Sequence, residues 1–220
     1  MLNYAKSSKL PLGRAASYDN VAPFYDSLSR LVYGDAIVKA HRFLVKAISA
    51  NSKVLIAGGG SGRILEEITQ IHSSGLCITY VEASGKMIEL SKRKSTGNNK
   101  VVFINQPIQE ASLLEEFDVI ITPFLFDNFG ENTPGFVFEK LHPVLKPRGL
   151  WLFADFQVYR NNWWQKGMLK IMYLFFRIVC NIEATQLPDT NTPFVKHGYK
   201  IYSRQEFFKK FIYSVVYIKS

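Results

Sequence analysis

Two rhythms of apolar and polar positions alternate along this chain. Residues 19–49 repeat apolar residues at helical spacing, through Phe43, Leu44, Ala47 and Ile48, and predict one or two amphipathic helices. From residue 53 onward, short and nearly continuous apolar runs take over: KVLIA (53–57), LCITYVEA (76–83), VVFIN (101–105), FDVIITPF (117–124) and LWLFADF (150–156). Between them lie helical patterns, SGRILEEITQIH (61–72), SGKMIELSKRK (84–94), a short IQEASLLEE (108–116) and TPGFVFEKLHPVL (133–145). Apolar runs of this length without alternation are strands buried on both faces. Strands separated by helices build a parallel sheet, and right-handed crossovers make it doubly wound.

The last third of the chain changes rhythm. Residues 161–184 form one apolar, aromatic-rich helical pattern, and 199–220 read as two strands joined near Lys209 and Lys210, an antiparallel terminal hairpin. The expected fold is therefore α/β: a doubly wound, seven-stranded, mostly parallel sheet with a C-terminal hairpin and helices on both faces. No composition shift marks a second domain. The expected division is a tail at 1–17, an N-terminal helical lid at 18–50, a core at 51–160, an inserted cap at 161–197 and the hairpin at 198–220.

Composition changes this picture little. The 220 residues are 47% hydrophobic and 20% charged, the balance of a globular protein with a full core. Cys77 and Cys180 have neither metal-ligand spacing nor a disulfide framework, and Cys77, inside an apolar run, reads as a small core residue. The basic, polar N-terminus has no apolar core of a secretory signal, so a cytoplasmic location is the default expectation. The net charge of +9 admits nucleic acid, an anionic membrane or an acidic small molecule as partner. The charges are scattered, with short clusters at Lys92, Arg93, Lys94 and at Lys209, Lys210. No nucleic-acid motif appears, and no nucleic-acid partner is expected.

The candidate chemistry sits at GGGSG, residues 58–62. This loop follows the first core strand and opens a helix, where glycines let a ligand approach bare backbone and the helix N-terminus offers free N–H groups. The dinucleotide pattern G-x-G-x-x-G fails, because Arg63 stands where the third glycine belongs, and the Walker pattern G-K-[ST] is absent. What stands is G-x-G-x-G: Gly58, Gly60, Gly62. Glu82 ends the second strand, 20 residues past Gly62, where an acid can accept hydrogen bonds from both ribose hydroxyls.

Taken together, VLIAGGGSGRIL, VEASGKMIELSKRK, FDVIITPFLFDNF and KLHPVLKPRGLWLFADF resemble the class I S-adenosylmethionine-dependent methyltransferases, of the kind that serves ubiquinone and menaquinone biosynthesis. The resemblance covers residues 17–160 and, in outline, the hairpin. It implies a Rossmann-like fold and S-adenosylmethionine as cofactor, with S-adenosylhomocysteine as product. It implies that Gly58, Gly59, Gly60, Ser61 and Gly62 carry the methionine moiety and that Glu82 holds the ribose. Ala83, Ser84, Met87, Gln106, Pro107 and Ile108 would border the adenine. Thr122, Pro123 and Phe124 would lie under the sulfonium, and Tyr18 and Tyr25 would fold over the cofactor.

Two positions depart from the family's pattern. Ile56 stands where relatives carry an acid, and Gln106 and Pro107 stand where they carry an aspartate. Gln106 can still offer a donor and an acceptor to an adenine edge.

Methyl transfer from a sulfonium needs positioning and desolvation first, and a base only where the nucleophile must lose a proton. Neither a triad nor a metal site is visible, and His41, His72, His142 and His197 are isolated in sequence. Asp127 and Asp155, at strand ends that face the ligand crevice of such sheets, are the catalytic candidates. Phe126, Asn128, Trp163 and Trp164 are candidates for the substrate. The expected partner is a small, apolar or aromatic methyl acceptor. The aromatic segment 161–183, carrying Lys166, Lys170 and Arg177, reads as a packed helix, a lid over an apolar acceptor or an interfacial helix in weak contact with a membrane. A fold that binds an adenosyl ligand without transferring methyl is the alternative. An RNA methyltransferase is disfavoured, since TPFLFDNF replaces an N-P-P-[YF]-like motif.

Overall fold

The computed structural model describes residues 18–180, 182 and 184–220. The tail expected at 1–17 lies outside them. Seven strands form one sheet in the order β3-β2-β1-β4-β5-β7-β6. They are β1 (Lys53–Ala57), β2 (Ser74–Glu82), β3 (Asn98–Asn105), β4 (Phe117–Pro123), β5 (Leu145–Phe156), β6 (Lys200–Phe207) and β7 (Ile212–Ile218). β1 to β5 run parallel, and the hairpin β6–β7 adds antiparallel to β5. The helices are α1 (Ala22–Tyr33), α2 (Ala36–Val45), α3 (Arg63–Ile71), α4 (Gly85–Lys92), α5 (Thr133–Leu141), α6 (Trp163–Cys180) and α7 (Asn191–Lys196).

The strand period of two sorts the core into layers. Val54 and Ile56 of β1, Val119 and Ile121 of β4, and Leu152 and Ala154 of β5 face α2, α3 and α4. Their neighbours Leu55, Ile120, Trp151 and Phe153 face α5 and α7. A third cluster joins α1, α2 and α6 to Phe156, Phe211 and Ile212 at the end of the sheet. Ile56 is fully buried in the α2–α3 layer, so a carboxylate there would be buried in an apolar layer, at a cost of several kcal/mol.

Two local expectations are corrected. Residues 108–116 do not form a helix: Pro107 accepts from Glu110 and Ala111 in a single turn, Leu113 packs on the core and Leu114 is 96% exposed. Cys77 is exposed, because the start of β2 buries only Leu76 and Ile78 on one face and the other is uncovered. The cap contains α7 besides α6, and α7 drives Phe194 into the core beneath Trp151 and Phe153. Among the described residues no helix is long and apolar enough to cross a membrane.

Candidate functional site

The site forms where β1, β2 and β4 end. Gly58, Gly60 and Gly62 have positive φ (70°, 60° and 85°), which winds the chain from β1 into α3. Each glycine answers a different neighbour. A side chain on Gly59 would strike the Tyr80 ring, and one on Gly62 would meet the Ser91 backbone at 2.7 Å. Gly60 has nothing within 4 Å of a Cβ: it presents bare backbone to open space. Tyr80 donates to the Gly60 carbonyl at 2.9 Å and fixes the loop from below.

Glu82 ends β2 beside this loop, 8% exposed. Its Oε2 accepts from the Gly60 N–H at 3.0 Å and its Oε1 from the Ser84 N–H at 2.9 Å. Burial raises its pKa while these backbone donors oppose the rise. Each carboxylate oxygen keeps a further lone pair for a ligand hydroxyl.

A cavity of about 130 Å3 opens over the loop. Gly58, Gly59, Gly60, Ser61, Glu82, Ala83, Met87, Pro107, Ile108, Pro123, Phe124, Tyr18 and Tyr25 line it. Four residues expected there do not. Gly62 is spent on the helix start. Ser84 caps α4, accepting from the Met87 N–H at 3.1 Å. Thr122 is fully buried and accepts from Trp151 Nε1 at 3.0 Å. Gln106 points to solvent, and Gln109 of the next turn takes a place in the wall.

The N-terminal segment closes over the site through bonds that span the sequence. Ser61 donates to Asp26 of α1 at 2.6 Å, Arg63 Nε pairs with the same carboxylate at 3.4 Å, and Ser84 and the Lys86 N–H donate to Asp19. Tyr18 donates to Asn128 Oδ1. Asp26 and Arg63 also line the cavity. Sequence reading missed both, since only tertiary packing brings position 26 to position 61.

His41 is the other omission. It is 6% exposed on the inner face of α2, and neither ring nitrogen has a partner among the described residues. It lines the cavity with its ring centroid 5.9 Å from that of Phe124. Burial, aided by Arg63, depresses its pKa to about 4, so the ring is neutral. Phe124 itself carries φ 54°, a left-handed backbone that costs an aromatic residue about 1–3 kcal/mol. Its N–H donates to Ala154 O at 2.8 Å and its carbonyl accepts from Asn128 Nδ2 at 2.9 Å, which holds the strained turn.

A second, largely apolar cavity of about 220 Å3 lies between α1 and α6, lined by Leu28, Val32, Met168, Ile171, Met172, Phe175 and Phe176, with Asp127 and Asn128 also in its wall. Of the substrate candidates, Asn128 reaches it. Phe126 is buried in the α5 layer, Trp163 is 83% exposed, and Trp164 packs on Phe208 and Phe211.

The parallel strands β1 to β5, the glycine loop after β1 and the buried acid at the end of β2 together form a Rossmann-like α/β architecture. The family described as "Methyltransferase domain" matches residues 54–149. The ubiquinone/menaquinone biosynthesis C-methyltransferase UbiE of Geotalea daltonii is 30% identical over 149 residues, covering 65% of this chain and 63% of that protein. The malonyl-[acyl-carrier protein] O-methyltransferase of Priestia megaterium is 31% identical over 63% of this chain and 49% of its own length. This chain thus spans about half to two thirds of these relatives. The structure of magnesium protoporphyrin IX methyltransferase from Synechocystis, with bound S-adenosylhomocysteine, superposes with a TM-score of 0.64 at 16% identity, covering 92% of this chain and 96% of that one. Residues 54–149 thus match a methyltransferase domain, on a fold shared with solved methyltransferases.

Proposed function

We propose that this protein transfers a methyl group from S-adenosylmethionine to a small apolar acceptor seated between α1 and α6. One observation carries the reading: Tyr18, Tyr25, Ser29, Ile37, Phe124 and Asn128 border both cavities. A donor over the glycine loop and an acceptor against α6 would meet across that shared wall.

The residues present fit the cofactor. Gly60 leaves its backbone open where a side chain would intrude, and Glu82 would take the ribose hydroxyls on its remaining lone pairs. Met87, Pro107 and Ile108 would pack the adenine, and Gly58 to Ser61 would carry the amino-acid tail. In place of the acid missing at Ile56, Asp26 offers a carboxylate from α1. When bound, the cofactor supplies a methyl group already activated on a sulfonium. The protein's own contribution is then position and exclusion of water. The bonds from Asp19, Asp26 and Tyr18 to Ser84, Ser61 and Asn128 would make the N-terminal segment the lid that does so.

The same reading gives α6 a second task. Trp163, Ile171, Leu174 and Ile178 are 60–83% exposed, beside exposed Lys166, Lys170 and Arg177. Ile171 also borders the acceptor cavity. This face would rest weakly on an anionic membrane, from which an apolar acceptor could enter.

Calorimetric titration of S-adenosylmethionine and S-adenosylhomocysteine tests the proposal. Saturable binding of both is expected, followed by methylated product from an acceptor panel. Binding of neither overturns it, and binding with no product from any acceptor leaves a ligand-holding fold.

A further inference from the structure

The wall of the α1–α6 cavity holds more polar chemistry than its apolar residues call for. Asp127, in the 3-10 turn Phe126–Asn128, lines the cavity and is 6% exposed. Asp155, at the end of β5, is 2% exposed and within hydrogen-bonding reach of Asp127. Its Oδ1 accepts from the Phe156 N–H at 2.8 Å, whereas its Oδ2 has no partner among the described residues. Asn128 Nδ2 donates to Asp127 Oδ1 at 3.0 Å. Tyr173 of α6 is 4% exposed, feels the charge of both carboxyls, and its hydroxyl is also unpartnered. Buried polar atoms without partners are rare, and those that persist mark strain or a functional role.

The titratable groups that face the pair are phenols: Tyr18, Tyr25 and Tyr33 from the N-terminal segment, Tyr173 from α6 and Tyr213 from β7. Burial pushes both carboxyls above the ordinary carboxylate range, Asp155 to about 7, and the charge of Asp155 raises Asp127 further. Two acids this close in an apolar setting do not both ionise near neutrality, and the form able to accept a proton is the one that holds one proton and one negative charge.

We propose that the Asp127–Asp155 pair receives a proton from the methyl acceptor, which is therefore an apolar molecule bearing an aromatic or enolic hydroxyl. The inference rests on the methyl-transfer reading above. Asp127 touches the acceptor and is the catalytic residue; Asp155 acts through it and is a positioning residue. In the step, the acceptor's oxygen bonds to the methyl carbon and its O–H bond breaks. The proton passes to the pair, and the electrons of the broken C–S bond stay on the donor's sulfur. A cationic donor and a monoanionic pair become a neutral thioether and a doubly protonated pair. The cavity is left without net charge, which suits a site of low dielectric. The proton returns to water when product leaves.

The test uses the whole chain and two probes that differ by one methyl group, 2-naphthol and 2-methoxynaphthalene, titrated calorimetrically. The wild type is expected to bind 2-naphthol about tenfold or more tightly than its ether, the scale of one hydrogen bond to a charged acceptor. Asp127→Asn and Asp155→Asn should each reduce that ratio to about twofold or less, while S-adenosylhomocysteine affinity stays within about threefold. Equal binding of the probes by the wild type, a ratio that survives both substitutions, or binding of neither probe overturns the proposal. Failure of the wild type to bind S-adenosylhomocysteine would instead strike the methyl-transfer reading, independently of the naphthol ratio.

Discussion

Glu82 accepts the backbone N–H of Gly60 at 3.0 Å, joining the end of β2 to the loop that follows β1. The acid proposed to hold the ribose is thus also the brace of the glycine loop. Glu82→Ala should lower S-adenosylhomocysteine affinity by about tenfold to a hundredfold, the loss of charge-assisted hydrogen bonds. Glu82→Gln should recover part of it. Because ribose hydroxyls favour the ionised acid and burial has raised its pKa, wild-type affinity should fall on acidification through that raised pKa. Calorimetry across pH checks both.

Gly59 and Gly60 separate folding from binding. Gly59→Ala forces a methyl group into the buried Tyr80 ring, and should cost about 1–3 kcal/mol of stability. Gly60→Ala meets no neighbour, so only its left-handed backbone, φ 60°, is penalised, by about 1–2 kcal/mol. Gly60→Ala should nonetheless abolish cofactor binding, because its methyl group projects where the ligand must lie. Thermal denaturation paired with titration distinguishes the two.

His41 costs the fold stability. Its folded pKa of about 4 lies below the ordinary 6.5, so the unfolded chain binds the extra proton first. The proton-linked part of its cost is absent above pH 6.5 and grows as pH falls to about 4 and below, reaching roughly 3 kcal/mol. His41→Phe removes two unpaired buried nitrogens and should raise stability at neutral pH by about 1 kcal/mol, some 2–4 °C in Tm. The acid-side loss attributable to His41 should vanish in that variant, and ligand affinity should drop. A neutral-pH Tm below that of wild type would contradict this account.

The exposed face of α6 makes a prediction for membranes. The protein should co-sediment with anionic vesicles at low salt and be released as ionic strength rises, since each cation near such a surface contributes about 1 kcal/mol. Charge reversal at Lys166, Lys170 and Arg177 should abolish the association. No co-sedimentation at low salt would leave the apolar face as a solvent-facing helix.

Much of this protein was legible in its sequence because the signals are local. Apolar runs marked the first five strands, the C-terminal segment read as the hairpin, GGGSG marked the turn out of β1, and Glu82 was picked out by its distance from that turn. Residues 108–116 were misread because the contest between Leu113 and Leu114 for the core is settled by α5 and the sheet, not by spacing. Cys77 was misread because a run of apolar residues does not say which face of an edge-proximal strand end is covered.

The sequence by itself determined the sheet, its hairpin and the loop, since strand period and glycine conformation are properties of neighbours along the chain. Only the tertiary structure decided what surrounds the loop. Asp26 reaches Ser61 across 35 positions, and His41 turns inward unpartnered. Asp127 meets Asp155, and α1 and α6 leave an apolar cavity against Phe124. Those relations arise from packing between distant segments, where burial sets both the charge state of a side chain and the company it keeps.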